Sequence, residues 1–551
     1  VERNLFKHIM IIFLVATVVF INTILMDFAW DDLQQIVYNP LLDDIRFTFF
    51  RLFKENLNYN MPVYFRPVFT YSLAFDTLLW GKQNPYGYHL TNVLLNTAVA
   101  LLSYLTLKKC EMPENVAFIA TLIFASHPAH CEVVANISAR NELLSALFML
   151  SSFLVYFSDW RLTVLKKILS AMLFFVAILS KENAVLFPLL IIAYERLYKK
   201  KPFGSLAKNI FPFFVVICIY FLLRKLYLPL VFGFKDPLKV RLFTAVLAFL
   251  HHIKITFLPF NLKVFYEIAP IKSLDFHSIA KFLLAVVGMI MVIYFKRDKR
   301  IIFFLFWFFV ILLPASNVLV IIRPSPIADR YSYLPSLGLI AIFVFTSASL
   351  FFDKNSKLNI AGKVFYTFVI VFLAISSMQR NWNWKDYPTF AKKMVEDAPN
   401  SAFAYNNLGI SLSLAKDYAG AEEAFKKTLE IMPGHDGALY GLGRVYFDQK
   451  RFKDAQKYFE LVVASKPNFF DALYYLGETY RNLNMLKEAE NTFFSLIKIN
   501  PSYDLAYNSL ADIYISQGDY KSAVVFLKKA LMFAPWVEEY KVKLERLTRL
   551  L

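Results

Sequence analysis

Residues 400–433 read NSAFAYNNLGISLSLAKDYAGAEEAFKKTLEIMP, and residues 434–467 read GHDGALYGLGRVYFDQKRFKDAQKYFELVVASKP. Aligned end to end, the two share a register that continues twice more. Prolines fall at 399, 433, 467, 501 and 535, a constant step of 34. The same step carries Leu408, Leu442, Leu476 and Leu510, then Gly409, Gly443, Gly477 and Ala511. It also carries Ala421, Ala455, Ala489 and Ala523, then Phe425, Phe459, Phe493 and Leu527. Small residues at two fixed places let antiparallel helices approach closely. Large ones fill the space between neighbours. Proline ends each second helix because it cannot extend the hydrogen-bond ladder.

This is the period of the tetratricopeptide repeat; an unrelated helical bundle has no reason to keep it. Four repeats are expected over 402–535. The segment 381–401 reads as a junction whose Tyr387–Pro399 part resembles the second helix of a truncated repeat. Residues 536–551 read as a capping helix, since a terminal repeat has one unstacked face. Stacked repeats present a curved surface suited to holding a peptide or protein.

Residues 1–380 are of another kind. The whole chain has 551 residues, 58% of them hydrophobic and 17% aromatic, with a mean hydropathy of +0.46. A soluble domain is nearer 45–50% apolar, so a polytopic membrane bundle is expected. Apolar runs suggest eleven spans, near 8–26, 87–107, 114–126, 141–158, 165–180, 183–198, 207–226, 275–295, 301–320, 333–352 and 360–378. The first lacks a small-residue cleavage site and reads as an uncleaved span. Residues 241–258, with LHHIK in their middle, read as a non-crossing or re-entrant helix. The fold class is therefore all-α, a membrane bundle followed by a repeat solenoid.

The net charge is +18, unevenly spread. From Asp397 onward there are 19 Lys+Arg and 19 Asp+Glu, which leaves 41 against 23 before that point. The excess sits in short loops: Arg3 with Lys7, Lys108-Lys109, Arg161 with Lys166-Lys167, Lys199–Lys201, Lys296–Arg300, and Lys354 with Lys357. That is the charge bias of cytoplasmic loops, not of a nucleic-acid surface. It puts the N-terminus in the cytoplasm, and the loop 27–86 and everything after Arg380 outside. The chain is expected in a bacterial inner membrane or in the endoplasmic reticulum. Three cysteines without a CxxC indicate neither a zinc site nor a disulfide framework. A transporter is disfavoured, because no Gly/Pro-broken spans recur in corresponding halves.

Ionisable groups near lipid are costly and point to function. Six segments carry them on the outer side. They supply Asp31 and Asp32; Arg66; His127, His130, Glu132 and Arg140; Lys181 and Glu182; Tyr266; and Asp329 with Arg330. If a helix begins at Pro128, Glu132, Asn136 and Arg140 form one stripe at intervals of four. The bland reading is a structural Glu–Arg pair. His127, His130 and Glu132 as metal ligands match no firm motif. The sequon Asn136-Ile137-Ser138 lies within this helix and reads as accidental.

Carboxylates, cations and a membrane suit one chemistry outside the cytoplasm, transfer of a sugar from a polyprenyl-phosphate lipid to a hydroxyl. A carboxylate takes the hydroxyl proton, cations stabilise the departing phosphate, and an apolar groove holds the lipid tail.

FAWDD (28–32), FRPV (65–68), YHLTNVLLN (88–96), HPAHCEVVANISARNELL (127–144), LSKENAVLFPLL (179–190), ADRYSYLPSLG (328–338) and the C-terminal repeats, in this order, resemble one family. It is the transmembrane and tetratricopeptide-repeat O-mannosyltransferases with their prokaryotic relatives, of the GT-C glycosyltransferase fold. The resemblance covers nearly the whole chain. It implies sugar transfer from a polyprenyl-phosphate donor to extracytoplasmic protein, with an acidic pair in the first outer loop. Carried onto this chain, Asp31 is the general base and Asp32 its helper. Arg330, Lys181, Arg140 and Arg66 face the donor phosphate, and Glu132, His127, His130, Glu182, Tyr266 and Asp329 shape the pocket. Animal members have longer repeat arrays, and mannose is their sugar. Adjacent aspartates can ligate Mg2+ or Mn2+, although related folds need not use a metal. Two other readings stand beside this one: a transferase taking lipid or glycan acceptors, and a non-enzymatic membrane scaffold.

Overall fold

The computed structural model describes residues 2–42, 64–159, 163–227, 237–267, 276–316, 318, 327–352 and 358–550. The expectations placed on Arg161, Lys354 and Lys357 lie outside the described residues. Among those residues the fold is all-α, without a strand. The chain divides into two compact units, Val1–Lys393 and Met394–Leu551.

In the first unit, among the described residues, seven helices are long and apolar enough to cross a membrane: Asn4–Leu25, Pro85–Lys109, Gly204–Tyr227, Leu238–Phe257, Lys299–Ser316, Asp329–Ala348 and Ile360–Trp384. A bent pair, Glu114–Ala125 with Pro128–Ala135, makes an eighth if it counts as one span. Of the eleven expected spans, those near 8–26, 87–107, 207–226, 301–320, 333–352 and 360–378 coincide with six of these helices, and Phe276–Lys296 is helical as well. Helices form at Arg140–Tyr156, Thr163–Ser180 and Phe187–Leu197, but none is among the seven.

Leu238–Phe257 departs in the other direction. It is one unbroken 20-residue helix of spanning length, not a re-entrant turn. Its polar LHHIK is tolerated because His252 is fully buried and bonded to Ser332 Oγ. His251 faces Asp329, and Lys254 lies exposed near the helix end.

Lys299–Ser316 and Asp329–Ala348 are the most enclosed spans, 67% and 72% buried. Gly204–Tyr227 and Ile360–Trp384 are only 22% buried, so their apolar faces look outward. The two central helices pack closely at Gly338, where an added Cβ would lie 2.5 Å from the Phe304 carbonyl oxygen. Trp307 Nε1 donates to the Leu334 carbonyl at 3.0 Å. This anchors the N-terminal end of the second helix, which begins with Asp329 and Arg330.

In the second unit each repeat is a helix pair: 402–414 with 418–431, 436–448 with 452–465, 470–482 with 486–499, and 504–516 with 520–533. A last helix spans Glu538–Leu550. The turn inside each pair places Lys416, Lys450, Asn484 and Gly518 in the left-handed region, again 34 residues apart. The next amide then reaches back, as from Asp417 to the Leu412 carbonyl at 2.9 Å and from Arg451 to that of Tyr446 at 2.8 Å. This closes the helix ends with 6→1 bonds.

An added Cβ on Gly409, Gly443 or Gly477 would lie 2.6 Å from the ring of Phe425, Phe459 or Phe493. The fourth repeat changes both members, to Ala511 and Leu527, which share one buried cluster. A smaller partner there leaves room for the methyl. Gly441, at the next repeat's start, also meets Phe425, at 2.3 Å from an added Cβ. Gly443→Ala is therefore expected to destabilise the second repeat by about 1–3 kcal/mol through overpacking. The measurement is faster amide exchange across 436–465 in the whole chain. Adding Phe459→Leu should recover part of the loss, and an unchanged exchange rate in Gly443→Ala would refute the packing argument.

Candidate functional site

The acidic pair lies in a short loop pinned at several points. The Asp27 amide donates to the Lys385 carbonyl at 2.8 Å. Trp30 adopts φ +52, a region that non-glycine residues rarely occupy. Its ring stacks on Phe390 with centroids 5.2 Å apart. Asp32 is fully buried and accepts from the Ala29 amide at 3.2 Å and from both the Ser138 amide and Oγ at 2.7 Å.

Asp31 has different surroundings. It is half-buried, and among the described residues no hydrogen bond to its carboxylate is formed. Burial pushes its carboxyl up to about 6, opposed by the Arg330 charge and assisted by Glu132. Burial also pushes Asp32 up to about 7, against the three donors that favour its charged form. Burial, with Asp31 beside it, raises the Tyr387 phenol. One carboxylate is thus held by three donors, while its neighbour accepts no hydrogen bond among the described residues.

The expected continuous helix through residues 127–140 does not form. Pro128–His130 and Ile137–Ala139 are single 3-10 turns around a five-residue helix, Cys131–Ala135. Asn136 is extended (φ −90, ψ 113), its Oδ1 accepting from the Ser138 amide at 3.0 Å. A side chain that bonds its own backbone two residues on favours a turn over a helix. The proposed stripe is consequently broken.

Glu132 pairs with Arg330, accepting from its guanidinium and from its amide, the latter at 3.0 Å. Arg140 pairs instead with Asp76 at 2.6 Å, and donates to Asn92 Oδ1 at 2.6 Å and to the Tyr88 carbonyl at 2.9 Å. Glu132 and Arg140 do not bind each other.

The four basic candidates are therefore unequal. Arg140 and Lys181 side chains are 0% and 1% exposed, the latter paired with Glu142. Arg66 is 11% exposed and bonded to Glu182, its Nε at 2.9 Å. Arg330 is 25% exposed, and its charge acts on Asp31. Breaking a deeply buried pair is costly, so Arg330 is the cation most available to an anion. Lys181 lies near it, 5.6 Å from the Tyr331 ring.

Asp329 is fully buried and holds Arg380 at 2.6 Å, the Tyr266 hydroxyl at 2.8 Å and His251 at 3.7 Å. Arg380 also donates to the Pro128 carbonyl at 2.6 Å and the Lys263 carbonyl at 3.0 Å. Sequence reasoning used Arg380 only to mark where the outer C-terminal part begins. The signal was present: it is a basic residue at the end of the last apolar run opposite the basic loops. It also passed over Ser138, hidden in the sequon.

The histidines are occupied. His127 Nδ1 accepts from the Ala129 amide at 3.2 Å, so Nε2 donates to the Thr256 carbonyl at 3.1 Å. His130 Nδ1 donates to the Phe124 carbonyl at 2.9 Å, and Nε2 faces Ser336 Oγ at 3.0 Å. Among the described residues no three His, Cys, Asp or Glu side chains gather as a metal site would require.

Comparison with known proteins gives tetratricopeptide-repeat matches over residues 412–476, 448–513 and 505–535. A protein O-mannosyl-transferase of Caenorhabditis elegans is 25% identical over 78% of this chain and 63% of its own length. Protein O-mannosyl-transferase TMTC3 of Mus musculus is 24% identical over 80% of this chain and 53% of its own. TMTC2 of Homo sapiens is 36% identical over 143 residues, 25% of this chain and 17% of its own. The chain spans about half the length of the curated relatives it matches. Matches covering 78–80% of the chain include residues of both units, in agreement with the motif order.

Proposed function

We propose that this relative of protein O-mannosyl-transferases is a membrane glycosyltransferase. It moves a sugar, mannose or similar, from a polyprenyl-phosphate donor to Ser or Thr hydroxyls of extracytoplasmic protein. The observation that carries the reading is the half-buried Asp31 carboxylate, which accepts no hydrogen bond among the described residues and feels the charge of Arg330, the most accessible of the four basic candidates. The acceptor oxygen attacks the anomeric carbon as the bond to the donor phosphate breaks. The hydroxyl proton passes to Asp31. The phosphate leaves with the bonding electrons, and Arg330 stabilises its growing charge. A single displacement without a glycosyl-enzyme inverts the anomeric configuration.

Asp32 positions the loop through Ser138, and Lys181, Arg66 and Arg140 with their carboxylate partners shape the walls. The Lys/Arg-rich loops face the cytoplasm, which puts Asp31 and the repeats on the extracytoplasmic face. The repeats hold the acceptor peptide. No step here is routed through a divalent cation.

The test is a screen of purified protein against several polyprenyl-phosphate sugars with an acceptor protein, with and without EDTA. Transfer of one sugar with inverted configuration is expected, and EDTA decides the need for Mg2+ or Mn2+. A product of retained configuration would contradict the single displacement. Removing the residues after Asp397 should end transfer to protein; if transfer to a lipid or glycan acceptor survives that truncation, the acceptor assignment is wrong.

A further inference from the structure

The end of the last membrane helix and the residues after it touch both halves of the site. Arg380 holds Asp329, the neighbour of Arg330, and the Pro128 carbonyl, four residues before Glu132. Its guanidinium lies 5.2 Å from the Trp384 ring centroid. Trp384 and Phe390 have centroids 6.2 Å apart, and Phe390 and Trp30 5.2 Å, the latter pair nearly parallel at 23°. Trp384 and Phe390 are each 1% exposed. The Asp27–Lys385 backbone bond runs alongside.

At the end of this column Trp30 is held at φ +52, a conformation that costs energy and persists only where surrounding contacts enforce it. Asp31 is the next residue, and the Asp32 carboxylate fixes the chain on its other side. Two neighbours of Asp31 are thus tied down while Asp31 itself is not.

We propose that Arg380, Trp384, Phe390 and Trp30 form one positioning column that sets the placement of the Asp31 carboxylate relative to Arg330. This rests on the reading that Asp31 takes the acceptor proton and Arg330 the donor phosphate. None of the three aromatic residues touches the reacting atoms. The column acts through the backbone at Trp30, so its loss moves the base without removing it.

The test uses the full chain and steady-state transfer. Trp30→Leu, which loses the stack, should lower kcat about tenfold or more, as small misplacements of a reacting group do, with donor KM within about twofold. Trp30→Phe, which keeps an aromatic ring over Phe390, should recover most of kcat. Phe390→Leu should match Trp30→Leu, and the double variant should be no worse than either, because coupled residues are non-additive. Unchanged kcat in Trp30→Leu, equal losses in Trp30→Leu and Trp30→Phe, or losses that multiply in the double variant would each overturn the column. Asp31→Asn separates the two ideas. If it retains transfer, the base assignment fails; if it is inactive while Trp30→Leu is fully active, only the column fails.

Discussion

Asp31→Asn should lower sugar transfer by about 10²–10⁴-fold, the usual contribution of a positioned general base, while the protein still inserts and folds. The amide is close in shape to the carboxylate but accepts no proton. Among the described residues the Asp31 carboxylate accepts no hydrogen bond, so the substitution breaks none there. The sign of the pH effects follows from a carboxyl pushed up to about 6 in the fold, above its unfolded value of about 3.9. A group raised in this way adds stability that is full below about pH 4 and is lost as pH rises through about 6. At pH 8 the asparagine variant should melt no lower than the unaltered chain. Wild-type transfer should conversely decline as pH is lowered through about 6, where the base becomes protonated. Asp32→Asn should behave differently. An amide nitrogen there must face the Ala29 amide or the donors of Ser138, so fold and activity fall together. Full activity in Asp31→Asn would remove the proposed base.

Arg330→Gln should cost transfer about 10²–10³-fold, the range for one donor to a developing anion, with a raised donor KM. It should also destabilise the fold. Glu132, 4% exposed in its side chain, would lose its cation, and stranding a buried partner costs about 3–5 kcal/mol. The loss here is expected nearer 2–3 kcal/mol, because the 25% exposed guanidinium was already partly screened by solvent. Glu132→Gln combined with Arg330→Gln should restore most of the melting temperature and none of the transfer. That contrast separates a phosphate-binding arginine from a purely architectural one. Recovery of transfer in the double variant would make Arg330 dispensable.

Much of this was legible beforehand because it depends on local spacing. The 34-residue register fixed the helix pairs. Long apolar runs marked the spans. What failed depended on partners distant in the chain. Glu132 and Arg140 stand eight apart and suggest one helix face, yet Asn136 turns the chain between them. Their partners, Arg330 and Asp76, lie 198 and 64 residues away in sequence. Trp30 carries no sequence mark of its left-handed backbone, since glycine or asparagine is the usual sign of one. His252 looks too polar for a span until Ser332, 80 residues on, is known to meet it.

The glycine–phenylalanine contacts decide where this solenoid can be cut and extended. A module spliced in at Pro467 or Pro501 carries its own matched pair, Gly443 with Phe459 or Gly477 with Phe493. A splice at Pro433 parts Phe425 from Gly441, and any foreign module inserted there must bring a glycine at the equivalent place. Chimeras that exchange repeats with other tetratricopeptide arrays should therefore join at the later prolines.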